Sequence, residues 1–235
     1  LTEAEATGAL LCLDVTEAVL DEAIALGHNL VISHHPLIFK GYKSITGKDY
    51  VERCILKAIK NDIVIYSAHT NLDNAYGGVN YKIAEKIGLK NLQVLEPKEN
   101  SLQDDLMQAG AGIVGELDEP ETELEFLKRI KKTFEVGCVR HNRLTGREIQ
   151  KVALCGGAGA FLLPQAIRAG ADVFITGEIK YHDYFGHEGD ILMAEIGHYE
   201  SEQYTKEIFY SIIRDLFPNF ALQSSKINTN PIKYL

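Results

Sequence analysis

Three short stretches of this chain carry side chains that can donate nitrogen or oxygen to a metal ion. His34-His35-Pro36 follows the apolar run Leu30-Val31-Ile32. Neighbouring residues of a strand point to opposite faces, so two adjacent imidazoles do not normally reach one ion. At a strand exit the chain is turning, and Pro36 holds His35 extended. The pair can then serve two neighbouring ions, or be ordinary loop histidines. His69 and Asp73 follow the run Ile63-Val64-Ile65. Either can donate to a metal, and Asp73 suits a simple turn equally well. His198 and Glu202 stand four residues apart, on one face of a helix if one starts there. Glu200 lies about 200° round that helix and is expected to face solvent.

The combination is more specific than its parts. Three imidazoles and two carboxylates drawn from these stretches form a mixed N/O set that suits Zn, Fe, Mn, Co or Ni. Five donors exceed what one catalytic zinc with an open position uses. They suit two divalent ions about 3.5–4 Å apart, sharing a carboxylate. Two further segments invite a functional reading. Cys155-Gly156-Gly157-Ala158-Gly159 is a glycine-rich turn whose amides could cradle a phosphate, although it has neither the lysine nor the spacing of a P-loop and tight packing explains it equally well. In Thr176-Gly177-Glu178-Ile179-Lys180-Tyr181-His182-Asp183, His182 beside Asp183 is either an acid–base group or a surface histidine.

These residues have to be positioned by the elements around them. Apolar β-branched runs alternate with helical patterns along the chain, which predicts α/β architecture. Strands are expected at residues 8–14, 30–33, 63–67, 92–95, 111–114, 136–139, 152–154, 173–176 and 191–194. Helices are expected at residues 50–59, 78–87, 102–109, 122–133, 161–169 and 198–216, with another capped by Thr16 and ended by Gly27. The polar stretch beginning at Pro97 is the expected boundary, dividing residues 1–98 from residues 102–235, with the closing helix free to pack on the first lobe. Most of the candidate donors then fall at strand exits, where the ligands of α/β folds collect.

Composition narrows the function classes. A net charge of −9 over 235 residues argues against nucleic acid, which needs a cationic surface. The cluster Lys128, Arg129, Lys131 and Lys132 has helical spacing and reads as a solvated face. No apolar run reaches the roughly 20 residues of a membrane span. No secretory signal is visible, and the four scattered cysteines suit a reducing, cytoplasmic compartment.

Five motifs in order closely resemble the Nif-three-like dimetal-binding proteins, often described as type-2 GTP cyclohydrolase I homologues. They are Ser33-His34-His35-Pro36-Leu37, the segment from Ala68 to Asp73, the glycine turn, the segment from Thr176 to Asp183, and Gly197-His198-Tyr199-Glu200-Ser201-Glu202. The resemblance implies two α/β lobes with a dinuclear metal site in the cleft between them. It implies that His34, His35, Asp73, His198 and Glu202 ligate the two ions, Glu202 bridging. His69 is implied to lie beside the metals and His182 near the same cleft, so that either can handle protons. A homohexamer is implied too, together with hydrolytic opening of the guanine imidazole ring of GTP. Phosphoester hydrolysis, or metal binding without turnover, are the other functions such a site allows. Members usually carry a helical segment ahead of the strand that begins here at Gly8.

Overall fold

A computed structural model describes residues 5–98 and 109–235. In chain order the elements are β1 (Ala9–Cys12), α1 (Glu17–Leu26), β2 (Leu30–Ser33), α2 (Tyr50–Lys60), β3 (Val64–Ser67), α3 (Thr70–Asp73), α4 (Val79–Ile87), β4 (Lys90–Pro97) and β5 (Gly110–Thr122). There follow α5 (Glu123–Thr133), β6 (Arg140–His141), β7 (Glu148–Cys155), α6 (Leu163–Arg168), β8 (Val173–Thr176), β9 (Leu192–Glu195), α7 (His198–Glu202), α8 (Thr205–Leu216) and β10 (Leu222–Ser224). They make two compact units, Leu1–Thr70 with Tyr204–Pro231, and Asn71–Gln203 with Ile232–Leu235. Among the described residues, no helix is long and apolar enough to cross a membrane.

The first unit is built on a four-stranded parallel sheet in the order β10-β1-β2-β3. β1 is central and every residue of it is buried, as expected of a strand covered on both faces. Helix α1 starts where Thr16 accepts from the Val19 amide and stops where Gly27 takes φ 69°, a left-handed conformation open to glycine at little cost. Its Val19, Leu20 and Ala23 pack with Leu10, Val31 and Cys54 into the core. Helix α8 packs on β1 and β10 of the same unit.

The second unit carries a six-stranded mixed sheet in the order β4-β5-β7-β8-β9-β6. β7, β8 and β9 run parallel and in register, Cys155 beside Thr176 beside Glu195, while β4, β5 and β6 join antiparallel. Phe174, Ala153, Leu162 and Met193 form one core cluster. Helix α5 opens with a complete capping box between Thr122 and Glu125. Lys128, Lys131 and Lys132 on α5 are exposed, and half-buried Arg129 bonds Glu121 and the Ile87 carbonyl. The basic cluster is thus a helix face.

Three expectations need correction, and one strand was not expected. Residues 136–139 are not a strand: the turn after α5, with Glu135 at φ 55°, sends Val136 into the core, and pairing resumes only at β6. Residues 161–169 begin as a tight 3-10 turn and become helical only at Leu163, with Pro164 in its first turn. The stretch 198–216 is two helices, broken at Gln203 and Tyr204, where one compact unit gives way to the other. That strand is β10, which is too short to show a period. The expected helix at 102–109 lies, apart from Ala109, outside the described residues, as does most of the expected boundary at 97–101.

Two buried glutamates tie loops to helix starts. Glu123 accepts from the amides of Thr145 and Gly146 and from the Thr145 hydroxyl. Glu52 accepts from the Thr46 amide and hydroxyl and the Lys48 amide, closing the long loop after His35. Burial pushes the Glu52 carboxyl up, but these donors and the Gly47 amide outweigh it and hold it at about 2, below the ordinary 4.5. A carboxyl depressed on folding stabilises above its unfolded pKa, and that contribution is lost as pH falls through the folded one. Glu52→Gln should therefore unfold at lower urea than the parent at neutral pH, with the gap closing as pH falls from 4.5 towards about 2. A gap that did not change with pH would assign Glu52 a packing role only.

Candidate metal centre

In the first unit, three parallel strands bring their carboxyl ends to one edge, Cys12 beside Ser33 beside Ser67. Backbone pairing continues past the strands: the His34 and His35 amides reach the carbonyls of Cys12 and Leu13, at 3.2 and 2.9 Å. The Ser33 hydroxyl lies 2.8 Å from that of Ser67 and from the His35 carbonyl, folding the exit back on itself. This fold lets two adjacent histidines gather on one side, with ring centroids 5.0 Å apart. His69, leaving β3, stands edge-on to both, at 5.3 Å from His34 and 5.5 Å from His35. One ring nitrogen from each of the three lies within 4.8 Å of the others.

The tautomers follow from the partners. His34 Nδ1 lies 2.8 Å from the Ala68 carbonyl oxygen, which only accepts, so the proton is on Nδ1 and the lone pair on Nε2. His35 Nδ1 lies 2.7 Å from Asp14 Oδ1, with the same consequence. Asp14 is steadied in turn by the Thr229 hydroxyl. A carboxylate or carbonyl behind a histidine is the usual support of a metal-ligating imidazole, since it orients the ring and raises its basicity.

The second unit repeats the device. β7, β8 and β9 release Cys155-Gly156-Gly157, Thr176-Gly177-Glu178 and Ile196-Gly197-His198 at one edge. His198 Nδ1 lies 2.8 Å from Glu178 Oε1, and its Nε2 lies 3.1 Å from Glu202 Oε2. Burial opposes charging this ring, but the Glu202 and Glu178 carboxylates outweigh burial and raise its pKa above the ordinary histidine value. A carboxylate oxygen of Asp73 lies within 4.8 Å of one of Glu202, which is buried. Burial, Asp73 and Glu202 together push the Cys155 thiol up to about 12, so the sulfur stays protonated beside them. Two carboxylates crowded in a buried place repel each other, and a cation would relieve the strain.

The glycine turn is a packing device. Its amides are taken by side chains of the same unit: Gly156 N bonds Asn80 Oδ1, Gly157 N bonds Ser201 Oγ, and Gly159 N bonds Thr176 Oγ1. Gly157, at φ 60°, lets Glu202 approach, for a β-carbon there would sit 2.3 Å from Glu202 Oε1. Asn80 also holds the Asp73 carbonyl through Nδ2.

Glu200 corrects the expected helix face. It is buried, and its carboxylate folds back over Gly197, the residue before α7. In a helix of five residues the third position serves the N-terminus, whose amides and dipole attract a carboxylate. His182 sits exposed on a 3-10 turn, its ring against Tyr181 and Phe185. Sequence reasoning assigned no role to Asp14, Glu178, Asn80 or Ser201. The first two showed a signal, an acid at a strand exit beside a candidate donor. Asn80 and Ser201 showed none.

A family model for Duf34/NIF3 (NGG1p interacting factor 3) matches residues 1–231. The GTP cyclohydrolase 1 type 2 homolog of Lactococcus lactis is 34% identical, over 97% of this chain and 85% of its own length. That of Clostridium perfringens is 37% identical, over 85% and 75%. Among solved structures, a hypothetical protein of Staphylococcus aureus is similar with a TM-score of 0.89 at 32% identity, covering 99% of this chain and 89% of its own. A Bacillus cereus protein related to NIF3 gives 0.87 at 26% identity, covering 99% and 90%.

Proposed function

This chain belongs to the Duf34/NIF3 family, and on that premise we propose that it is a metal-dependent hydrolase. In this reading His34, His35, Asp73, His198 and Glu202 hold two divalent ions, and the reaction opens the imidazole ring of a purine nucleotide, GTP being the first to test. The observation that carries the reading is the trio of imidazoles with His34 and His35 locked as Nδ1–H tautomers by Ala68 and Asp14. Histidines so fixed present Nε2 lone pairs with little rotational freedom to lose. Neutral nitrogens alone leave divalent charge uncompensated, and Asp73 and Glu202 supply the negative charge that balances it.

Divalent ions bound there would supply Lewis acidity and lower the pKa of a water towards neutrality. The protein's own part is to orient donors and move protons. His69 is favoured over His182 for proton handling, because it packs against His34 and His35. Neither is needed as a donor in the five-residue set.

The test is incubation of the protein with GTP and Mn²⁺, Fe²⁺ or Zn²⁺, following the purine ultraviolet spectrum, formate and phosphate together. Ring opening changes the spectrum, and hydrolysis of the formamide it leaves releases formate, while the triphosphate stays whole. Phosphate release with an unchanged spectrum would assign phosphoester hydrolysis instead. A protein that binds metal and changes no substrate of either class would be a binding module.

A further inference from the structure

If the substrate is a nucleotide, its phosphates need donors, and the glycine turn does not offer the amides of Gly156, Gly157 and Gly159, which are already bonded. A different part of the second unit offers them. A cavity of about 540 Å³ opens between β6 with the residues after it and the turn that follows β8. Arg140, His141, Arg143, Tyr181, Tyr184 and Phe185 line it. Its size falls within the range of small-molecule sites.

The lining has two kinds of group, each with something left to bind. Arg143 is exposed and has no acidic partner among the described residues. The acid in the lining, Glu188, accepts from the Gly186 amide at 3.1 Å. Tyr181 and Phe185 are 68% and 56% exposed, with ring centroids 5.3 Å apart. Two large aromatic faces held open to water are costly to leave uncovered and are natural stacking surfaces.

The wall behind them is built. Glu195 accepts from Arg140 Nη1 at 2.8 Å, from the Tyr184 hydroxyl at 3.1 Å and from the Ile179 amide at 3.2 Å. The Arg140 guanidinium also lies over the Tyr184 ring, 5.7 Å from its centroid. One carboxylate thus fixes β6, β9 and the turn after β8, so the cavity keeps its shape without a ligand.

We propose that this cavity is a nucleotide-binding site, with the base stacked against Tyr181 and Phe185 and the phosphates on Arg143. The cavity's own chemistry asks for an aromatic anion; the choice of a nucleotide rests on the purine reading above. The site uses none of the five metal donors, so it binds in the absence of metal.

Calorimetric titration of chelator-treated protein with GTP, guanosine and inorganic triphosphate tests this. GTP should bind most tightly, because it alone presents both a ring and a polyanion. Phe185→Ala should weaken GTP about tenfold and leave triphosphate unchanged, a stacked base being worth that much. Arg143→Ala should weaken GTP and triphosphate about tenfold and leave guanosine unchanged, with Arg143→Lys in between. Both side chains are exposed, so the fold and the metal content should be unaltered in all variants. GTP affinities equal to the parent's in Phe185→Ala and Arg143→Ala would overturn the proposal, as would no GTP binding at all. Self-association that Phe185→Ala abolishes, without any nucleotide effect, would overturn it in favour of a second copy of the chain. Weakened GTP binding in a protein that never opens the ring would sink the hydrolase reading and leave this site standing. Turnover of GTP by a protein whose GTP affinity is parental in both variants would do the reverse.

Discussion

Glu202→Gln is expected to strip the protein of metal, while Glu200→Gln, two residues away, is expected to keep it. Both changes remove one negative charge from the same five-residue helix. They differ in where the carboxylate lies. Glu202 is buried, 3.1 Å from His198 Nε2 and within 4.8 Å of an Asp73 oxygen, whereas the Glu200 carboxylate folds over Gly197. An amide at position 202 keeps shape and hydrogen bonding but loses the charge that, in the proposed two-ion site, would offset the cations, and amide oxygen is a poorer ligand. If Glu202 bridges, the loss falls on both ions at once. Loss of an outer partner costs about 10–100-fold in metal affinity, and loss of a bridging ligand should exceed that. His35→Ala should leave one ion largely in place, since an imidazole nitrogen serves a single ion. Elemental analysis after equal exposure to metal decides it. Both ions retained in Glu202→Gln and lost in Glu200→Gln would mean that the helix presents its other face.

The second large effect is expected from a single methyl group. Gly157→Ala places a β-carbon 2.3 Å from Glu202 Oε1, at a residue whose φ is 60°. The left-handed backbone costs an alanine about 1–2 kcal/mol, small against the roughly 5–15 kcal/mol that holds a protein folded. The clash itself is with the end of a flexible side chain, so the fold relieves it by moving the Glu202 carboxylate. That movement is cheap for stability and fatal for a ligand. The variant should melt within a few degrees of the parent, yet bind metal at least tenfold more weakly. Gly177→Ala makes the opposite case. Its β-carbon would meet the Gly157 carbonyl oxygen at 2.6 Å and the His198 α-carbon at 2.9 Å. Backbone cannot swing aside, so this variant should lose thermal stability outright. A Gly157→Ala protein with parental metal affinity would show that Glu202 is not where the ions bind.

Much of the architecture was legible in the sequence because it rests on local rules. The period of apolar residues marked α2 and α4, the pair Thr16 and Gly27 marked both ends of α1, and buried β-branched runs marked β2 and β8. Each signal lies within a few residues of the element it describes. The rule failed where distant contacts decided the outcome. Residues 136–139 have strand composition, but Val136 is drawn into the core and the chain pairs only at Arg140. A single helical period runs through residues 198–216, yet the chain breaks at Gln203 and Tyr204.

For the candidate site the division follows the same physics. Donor type belongs to the residue, so the sequence by itself determined that the candidate donors are histidines and carboxylates. Its ordered motifs also determined the family. Three things were left to tertiary structure. It decided that Asp14, 21 residues from His35, sets that ring's tautomer, and that Glu178, 20 residues from His198, orients that ring. It decided that Asn80, Ser201 and Thr176 take up the amides of the glycine turn, across 76, 44 and 17 residues. And it decided that Glu200 turns inward, because the helix that would have carried it to solvent is only five residues long. A hydrogen-bond partner is chosen by proximity in space, and proximity between residues that far apart exists only once the sheets have formed.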